Sequence, residues 1–153
     1  MHEFLHTEKW SLSDLVRIAV SKDQPTGWRG ALMLYNWLLE HPEDRDKIPL
    51  PELLKGLSKK PDGHQRELLK VLSLMTLTEE EEGQLFDLCM GIWEKTSFQP
   101  SLRYYAIRII AQIISRHPEL KKELNYLIEE RYLESLSPGI RKSILKMLSS
   151  TTA

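Results

Sequence analysis

The chain has 153 residues, of which 28% are charged, and its formal net charge is -1 at pH 7. This length suffices for one domain with its own hydrophobic core, and the near-neutral charge gives no overall attraction to nucleic acid or anionic lipid. Binding of either must therefore come from a local arrangement of charge.

The N-terminal sequence and the single cysteine indicate where the protein works. The segment MHEFLHTEKW lacks the basic and apolar parts of a secretory leader, and no apolar run approaches the roughly 18 residues of a membrane span. Cys89 cannot form an intramolecular disulfide and lies in an apolar run, so it is predicted to be a buried core residue. We expect a cytoplasmic protein without membrane association. His2 and His6 have no third ligand nearby, so they predict no metal site.

Apolar residues at helical spacing, separated by turns that contain proline or glycine, predict an all-α chain. The strongest signal covers residues 97–117, where Ala106 and Ile110 share an apolar face and Tyr104 and Arg108 lie on a polar one. In chain order, helices are predicted over about residues 12–22, 28–40, 51–58, 64–75, 79–95, 97–117, 119–136 and 138–148.

Several local features at helix ends have structural interpretations. His41-Pro42-Glu43 and His117-Pro118-Glu119 each follow a predicted helix, and we interpret them as a repeated stop signal rather than as chemistry. The acidic run 79–82 is interpreted as the solvated start of a helix, where carboxylates favour the helix dipole. Gly91 costs its helix about 1 kcal/mol relative to alanine, which predicts a close approach by a neighbouring helix.

One residue type recurs at a nearly fixed period. Arg29, Arg66, Arg103 and Arg141 are 37, 37 and 38 residues apart, each near the start of a predicted helix. A fixed period with two helices per unit is typical of a helical solenoid, in which each pair buries its apolar face against the next. We predict a single domain over residues 1–153 in which the four arginines occupy equivalent positions. The repeats are predicted over about residues 10–41, 48–76, 79–117 and 119–149.

The first turn of the chain carries the residues of a known repeat. Asp23 and Pro25 precede a helix that opens with Trp28, Arg29 and Ala31, and this pattern resembles the HEAT repeat family. The later turns keep the arginine but lack the aspartate at that offset. Most of the chain is also similar to short bacterial HEAT-like proteins. The resemblance implies an armadillo-like, right-handed α-α superhelix of about eight helices in four pairs, with the second helices lining a concave side.

If the second helices share one side, their polar stripes form a surface rich in cations. The acidic residues concentrate on the first helices, so a near-neutral net charge conceals a locally basic groove. The alternative is that these cations are ordinary solvated residues. Tyr104 is expected to contact a partner, whereas Trp28 is expected to pack in the core. The predicted partner-binding residues are Arg29, Arg66, Lys70, Tyr104, Arg108, Lys142 and Lys146.

Two classes of function fit this surface. The first is a non-enzymatic scaffold that holds a protein or peptide along the groove. The second is a nucleic-acid-binding protein that resembles the HEAT-like alkylpurine DNA glycosylases, for which Glu40 is the only candidate acid. No Gly-rich phosphate loop, metal-ligand spacing or nucleophile–base pair is present in the sequence, so no catalytic residue, cofactor or metal is predicted. The expected state is a monomer or a weak dimer formed through Ile144, Met147 or Leu148.

Overall fold

The computed structural model describes residues 11–152, and the side chains of residues 11–151. His2 and His6 lie outside the described residues. Helices and turns make up the described part of the chain, which contains no strand, so the all-α prediction is confirmed. None of the described helices is long and apolar enough to cross a membrane. The chain divides between Thr76 and Leu77 into two compact units.

Unit 1 begins with an antiparallel pair of helices. Ser11 caps the first helix in a capping box with Asp14. The second helix packs closely on the end of the first, because a Cβ added at Gly30 would lie 2.5 Å from the Ile18 side chain. The described residues of this unit form the α-helices α1 (Leu12–Ala19), α2 (Thr26–Glu40), α3 (Leu50–Gly56) and α4 (Asp62–Leu72), with a 3₁₀ segment at Pro42–Lys47 between α2 and α3.

A buried histidine joins α1, α2 and α4. The His64 Nε2 atom donates to the Ala19 carbonyl oxygen at 2.6 Å, and its Nδ1 atom accepts from the Gln24 side-chain amide at 2.8 Å. A Cβ added at Gly27 would lie 2.6 Å from the imidazole, so only glycine leaves room for this ring. His64 therefore carries out a structural role at the end of α1.

Unit 2 also begins with an antiparallel pair. Thr78 caps the first of its helices in a capping box with Glu81. Pro100 opens the second, where its missing N–H leaves no extra unpaired donor. The α-helices of this unit are α5 (Glu79–Glu94), α6 (Pro100–Arg116), α7 (Leu124–Leu127), α8 (Glu130–Leu133) and α9 (Pro138–Thr152), with a 3₁₀ segment at Pro118–Glu123.

The core of unit 2 contains a fully buried arginine. The Arg103 guanidinium donates to the carbonyl oxygens of Trp93, at 2.8 and 3.0 Å, and of Tyr132, at 2.7 Å. It also stacks on the Trp93 ring at 4.3 Å, and the Trp93 indole donates to the Leu127 carbonyl oxygen. These bonds satisfy a buried charge that would otherwise be costly, and they tie α5, α6 and the segment 124–133 together.

The predicted helix over 119–136 is wrong. A 3₁₀ segment and two short helices replace it, with a break at Glu129, whose φ of -59° and ψ of 143° are not helical. In an unbroken helix, Arg131 would follow Leu127 on the buried face. The break instead turns Tyr132 and Leu133 inward, and both are buried.

Two further expectations about packing are wrong. An added Cβ at Gly91 would meet no atom within 4 Å, so no neighbouring helix approaches there. Ile144 and Leu148, predicted to form an exposed dimer surface, are buried within unit 2 and Met147 is partly buried. They face the core because α9 packs on α6. Cys89 is buried as predicted, and burial raises the pKa of its thiol.

The repeated His-Pro-Glu sequence stops both helices as predicted. Glu40 is the last residue of α2 and Arg116 is the last residue of α6, and a 3₁₀ segment starts at the proline each time. The two histidines have different surroundings. His41 stacks on the Trp37 ring at 3.8 Å, whereas His117 pairs with Glu82.

Candidate functional site

The second helices lie side by side within each unit, as the repeat predicts. In unit 1 the Lys70 ammonium of α4 lies 4.4 Å from the Tyr35 ring of α2, and Gly63 lies against Trp28. The two helices therefore run parallel. In unit 2, α6 and α9 flank two depressions.

The α2–α4 surface of unit 1 carries three of the predicted binding residues. Arg66 pairs with Glu67 at 3.3 Å, and Lys70 pairs with the other carboxylate oxygen at 3.1 Å. Glu67 is buried and lies close to both cations, so it offsets one of their two positive charges. Arg29 is exposed. The surface is therefore less basic than the sequence suggests.

Trp28 does not pack in the core, contrary to the prediction. It is 42% exposed and lies over Gly63 at the edge of α4. Leu32 and Leu39 of α2 are exposed as well. The α2–α4 surface thus presents exposed apolar side chains beside two cations that share one carboxylate.

The surface between α6 and α9 is concave, and we call it the α6–α9 groove. Each of its two depressions has a volume of about 330 Å³. The first lies between the N-terminal turns of both helices and is almost entirely apolar, and the second lies between their C-terminal halves, so the helices run parallel. Pro100, Ser101, Tyr104, Tyr105, Gly139, Ile140 and Ser143 line the first depression. Arg108, Ala111, Gln112, Ser115, Met147, Ser150 and Thr151 line the second.

The charged side chains of the two helices that form the α6–α9 groove are all positive. Neither α6 nor α9 contains an aspartate or a glutamate. Arg116 pairs with Glu82 at 2.6 Å and Arg141 with Glu130 at 2.9 Å. Three exposed cations remain on these two helices, and none of them forms an ion pair within the described part of the chain. They are Arg108, Lys142 and Lys146.

The structure brings some of the predicted residues of unit 2 together. Tyr104 and Arg108 line the groove, one in each depression. Lys142 and Lys146 are exposed on α9 next to lining residues but do not line either depression. The sequence did not assign Gly139, Ile140 or Met147 to the groove, and it predicted Met147 at an exposed dimer surface instead. The signal for these residues is the stretch of small and apolar residues on α9.

The four repeat arginines do not occupy equivalent positions. Arg103 is buried, Arg66 and Arg141 are partly exposed, and Arg29 is exposed. From α2 to α4 the buried positions keep the arginine spacing of 37 residues, but from α4 to α6 they shift by 39, so Arg103 falls on the buried face whereas Arg29 and Arg66 fall beside it. Equivalent buried positions are Gly27, Gly30, Ala31 and Leu34 in α2, His64, Glu67, Leu68 and Val71 in α4, and Arg103, Ala106, Ile107 and Ile110 in α6.

Unit 2 has a second polar feature at the other end of α6. Glu82, which was expected at a solvated helix start, is buried and accepts hydrogen bonds from Arg116 and His117. Burial raises the pKa of this carboxyl, but the two hydrogen bonds outweigh burial, so the pKa lies below its ordinary value. A depression of about 310 Å³ beside it is lined by Glu79, Asp87 and Glu119.

Among the described residues, no group of three histidine, cysteine, aspartate or glutamate side chains is placed to hold a metal ion. Glu40, the candidate acid for a glycosylase, is exposed at the last turn of α2.

Comparison with known proteins identifies the family. The family described as the HEAT repeat domain matches residues 2–151, and the chain belongs to this family. Searches of curated proteins and of solved structures found no match. HEAT repeats commonly act as protein-interaction scaffolds.

Proposed function

We propose that the protein is a non-enzymatic binding scaffold and that its α6–α9 groove holds a segment of a protein or peptide partner. The observation that carries this proposal is a concave surface between two parallel helices that have no carboxylate of their own. Tyr104, Arg108, Lys142 and Lys146 are the residues of the proposed contact. The cytoplasmic location and the monomeric or weakly dimeric state expected from the sequence belong to the same proposal.

The α2–α4 surface is the weaker candidate. Its three predicted residues are Arg29, Arg66 and Lys70. The buried Glu67 pairs with two of them and offsets one of their charges. A surface whose cations are already paired gains less from an acidic partner, since the existing ion pairs must be exchanged.

Photo-crosslinking tests the proposal that the α6–α9 groove holds a protein or peptide partner. A crosslinking amino acid placed at Gln112, which is exposed and lines the groove, should capture polypeptides in native extract. The matched control carries it at Lys122, which is exposed on the 3₁₀ segment outside the groove. Capture must be specific to Gln112 and must fall when Arg108, Lys142 and Lys146 are all replaced by glutamate. Equal capture at both positions would remove the proposal.

Nucleic acid is the alternative occupant. Electrostatic binding to a phosphate backbone weakens steeply with added salt, because counterions are released when cations contact phosphates. A gel-mobility assay with duplex and single-stranded DNA at low salt should show no retarded band. A salt-sensitive band that disappears in the Arg108→Glu variant would support the nucleic-acid function instead.

A further inference from the structure

We propose that the segment held in the α6–α9 groove is an acidic peptide with one large apolar side chain, which inserts between the N-terminal turns of α6 and α9. This inference rests on the proposed function and specifies the chemistry of its partner. Two independent features support it: the division of the groove into an apolar end and a polar end, and the sign of the surrounding charge.

The apolar depression can hold one side chain of the bound peptide. Tyr104 and Tyr105 form one wall, and Gly139 and Ile140 form the other. An added Cβ at Gly139 would meet no atom within 4 Å, so the space above this glycine is open. The volume of about 330 Å³ is at the low end of ligand pockets, which fits one aromatic or aliphatic side chain rather than a larger group.

The positive charge on α6 and α9 favours acidic residues in the rest of the bound segment. Arg108 lies in the second depression, one helical turn beyond Tyr104, and Lys142 and Lys146 lie one turn apart on α9. The first turns of α6 and α9 contain no acidic residue, so the positive ends of two parallel helix dipoles meet beside the apolar depression. Carboxylates on both sides of the apolar side chain therefore find complementary charge.

The length of the groove sets the length of the segment. From Ser101 to Ser115 helix α6 rises about 21 Å, which an extended chain spans with about six residues. Such a segment places its apolar side chain between Tyr104 and Ile140 and its carboxylates near Arg108. Polar groups at the far end, such as Gln112 and Ser150, then face the peptide backbone.

A peptide fits this surface better than a nucleic acid does. Base stacking needs open aromatic faces along the path of the strand. The two aromatic residues of the groove are Tyr104 and Tyr105, which pack edge to face at 5.8 Å, and both belong to the same end. The remaining length of the groove offers Arg108 and small or polar side chains instead.

Fluorescence anisotropy with defined peptides tests this inference on the full chain. The probe is a short labelled peptide with one phenylalanine between two runs of glutamate, compared with the same peptide carrying serine for phenylalanine and with one carrying lysine for glutamate. The acidic phenylalanine peptide should bind with an affinity that falls as salt rises. The serine peptide should bind about tenfold more weakly, the factor expected when one apolar side chain loses its buried contact. The lysine peptide should not bind.

Two variants locate the site, each with a matched control. Gly139→Leu fills the apolar depression and should weaken binding of the phenylalanine peptide by about tenfold or more. Gly91→Leu adds the same side chain to an exposed helical glycine outside the groove and should bind as the wild type does. Lys142→Glu should weaken binding, whereas Lys122→Glu, with the same change in net charge, should not.

The outcomes separate this inference from the proposed function. Absence of binding by the acidic peptide, a preference for the lysine peptide, or equal effects of Gly139→Leu and Gly91→Leu would overturn the inference. If capture at Gln112 still depends on the groove cations in that case, the scaffold proposal stands with a different partner chemistry. Binding of single-stranded DNA without binding of any peptide would overturn both.

Discussion

The two pairs of second helices are built from the same repeat but present different surfaces. On the α2–α4 surface, Glu67 pairs with Arg66 and Lys70, and the apolar side chains of Trp28 and Leu32 are exposed on α2. On the α6–α9 groove no carboxylate is present, and the helices leave open space between them. The repeat therefore sets where the helices lie. The residues that fill or leave the space between them set which surface can bind.

The largest expected effect on stability distinguishes Arg103 of unit 2 from Arg29 of unit 1. Replacing Arg103 by methionine leaves the carbonyl oxygens of Trp93 and Tyr132 without their donor, so the free energy of unfolding of unit 2 should fall by about 3 kcal/mol. Arg29→Met, at an exposed position, should change stability by less than about 0.5 kcal/mol. Urea titrations followed by tryptophan fluorescence measure both. Equal losses would mean that Arg29 and Arg103 occupy equivalent positions.

The next effect compares two glycines. An alanine Cβ at Gly27 would lie 2.3 Å from the Ser21 carbonyl oxygen, a backbone atom that cannot move aside freely, so Gly27→Ala should cost about 2 kcal/mol. Gly91→Ala should instead stabilise α5 by up to about 1 kcal/mol, because the added methyl meets open space and alanine favours helix. Thermal unfolding of both variants shows whether each substitution stabilises or destabilises the protein. A destabilising Gly91→Ala would contradict the open packing there.

A smaller effect depends on pH and belongs to unit 1. Burial, together with nearby Lys60, lowers the pKa of His64 below its ordinary value, although its bond to the Ala19 carbonyl opposes this. The neutral imidazole is thus favoured in the folded state. The stability that neutral His64 contributes is present above its pKa in the unfolded chain, about 6.5. It is lost as the pH falls through the lower pKa of His64 in the folded protein.

The wild type should therefore lose stability between neutral and mildly acidic pH more steeply than a His64→Gln variant. Subtracting one pH profile of the free energy of unfolding from the other cancels the remaining histidines, which both chains share. Parallel profiles would show that His64 does not titrate differently in the folded and unfolded states.

The smallest effect is a control on the groove. Lys142 and Lys146 are exposed and have no ion pair with a described residue, so replacing each by glutamate should change the free energy of unfolding by less than about 0.5 kcal/mol. Calorimetric melting temperatures check this. A loss comparable to that of Arg103→Met would mean that these lysines hold the fold, and their effect on binding could not be separated from folding.

The arginine period shows what the sequence could and could not predict. It located the starts of α2, α4, α6 and α9, because helix starts depend on nearby residues such as Pro100 and Pro138. It did not predict that Arg103 is buried and that His64, not Arg66, fills the corresponding position in α4. Burial depends on how each helix rotates against its neighbours, and a single conspicuous residue does not report that rotation.

The sequence predicted only part of the α6–α9 groove, because it does not report how each helix rotates against its neighbours. Tyr104 and Arg108 stand out on the polar stripe of α6, so the sequence identified them. The sequence did not assign Ile140 to the groove and predicted Met147 at a dimer surface, because an apolar side chain at helical spacing is equally consistent with a covered and an uncovered face. Only the position of α9 against α6 distinguishes these cases. The same dependence on tertiary packing explains the missed break at Glu129.

The central claim is that the partner binds the α6–α9 groove rather than the α2–α4 surface. An NMR titration of the isotope-labelled full chain with the acidic phenylalanine peptide tests it most directly. The account predicts amide shift changes concentrated at Tyr104, Arg108 and Ile140, with those of Trp28 and Lys70 unchanged. Changes concentrated at Trp28 and Lys70, or no change at any concentration of the peptide, would contradict it.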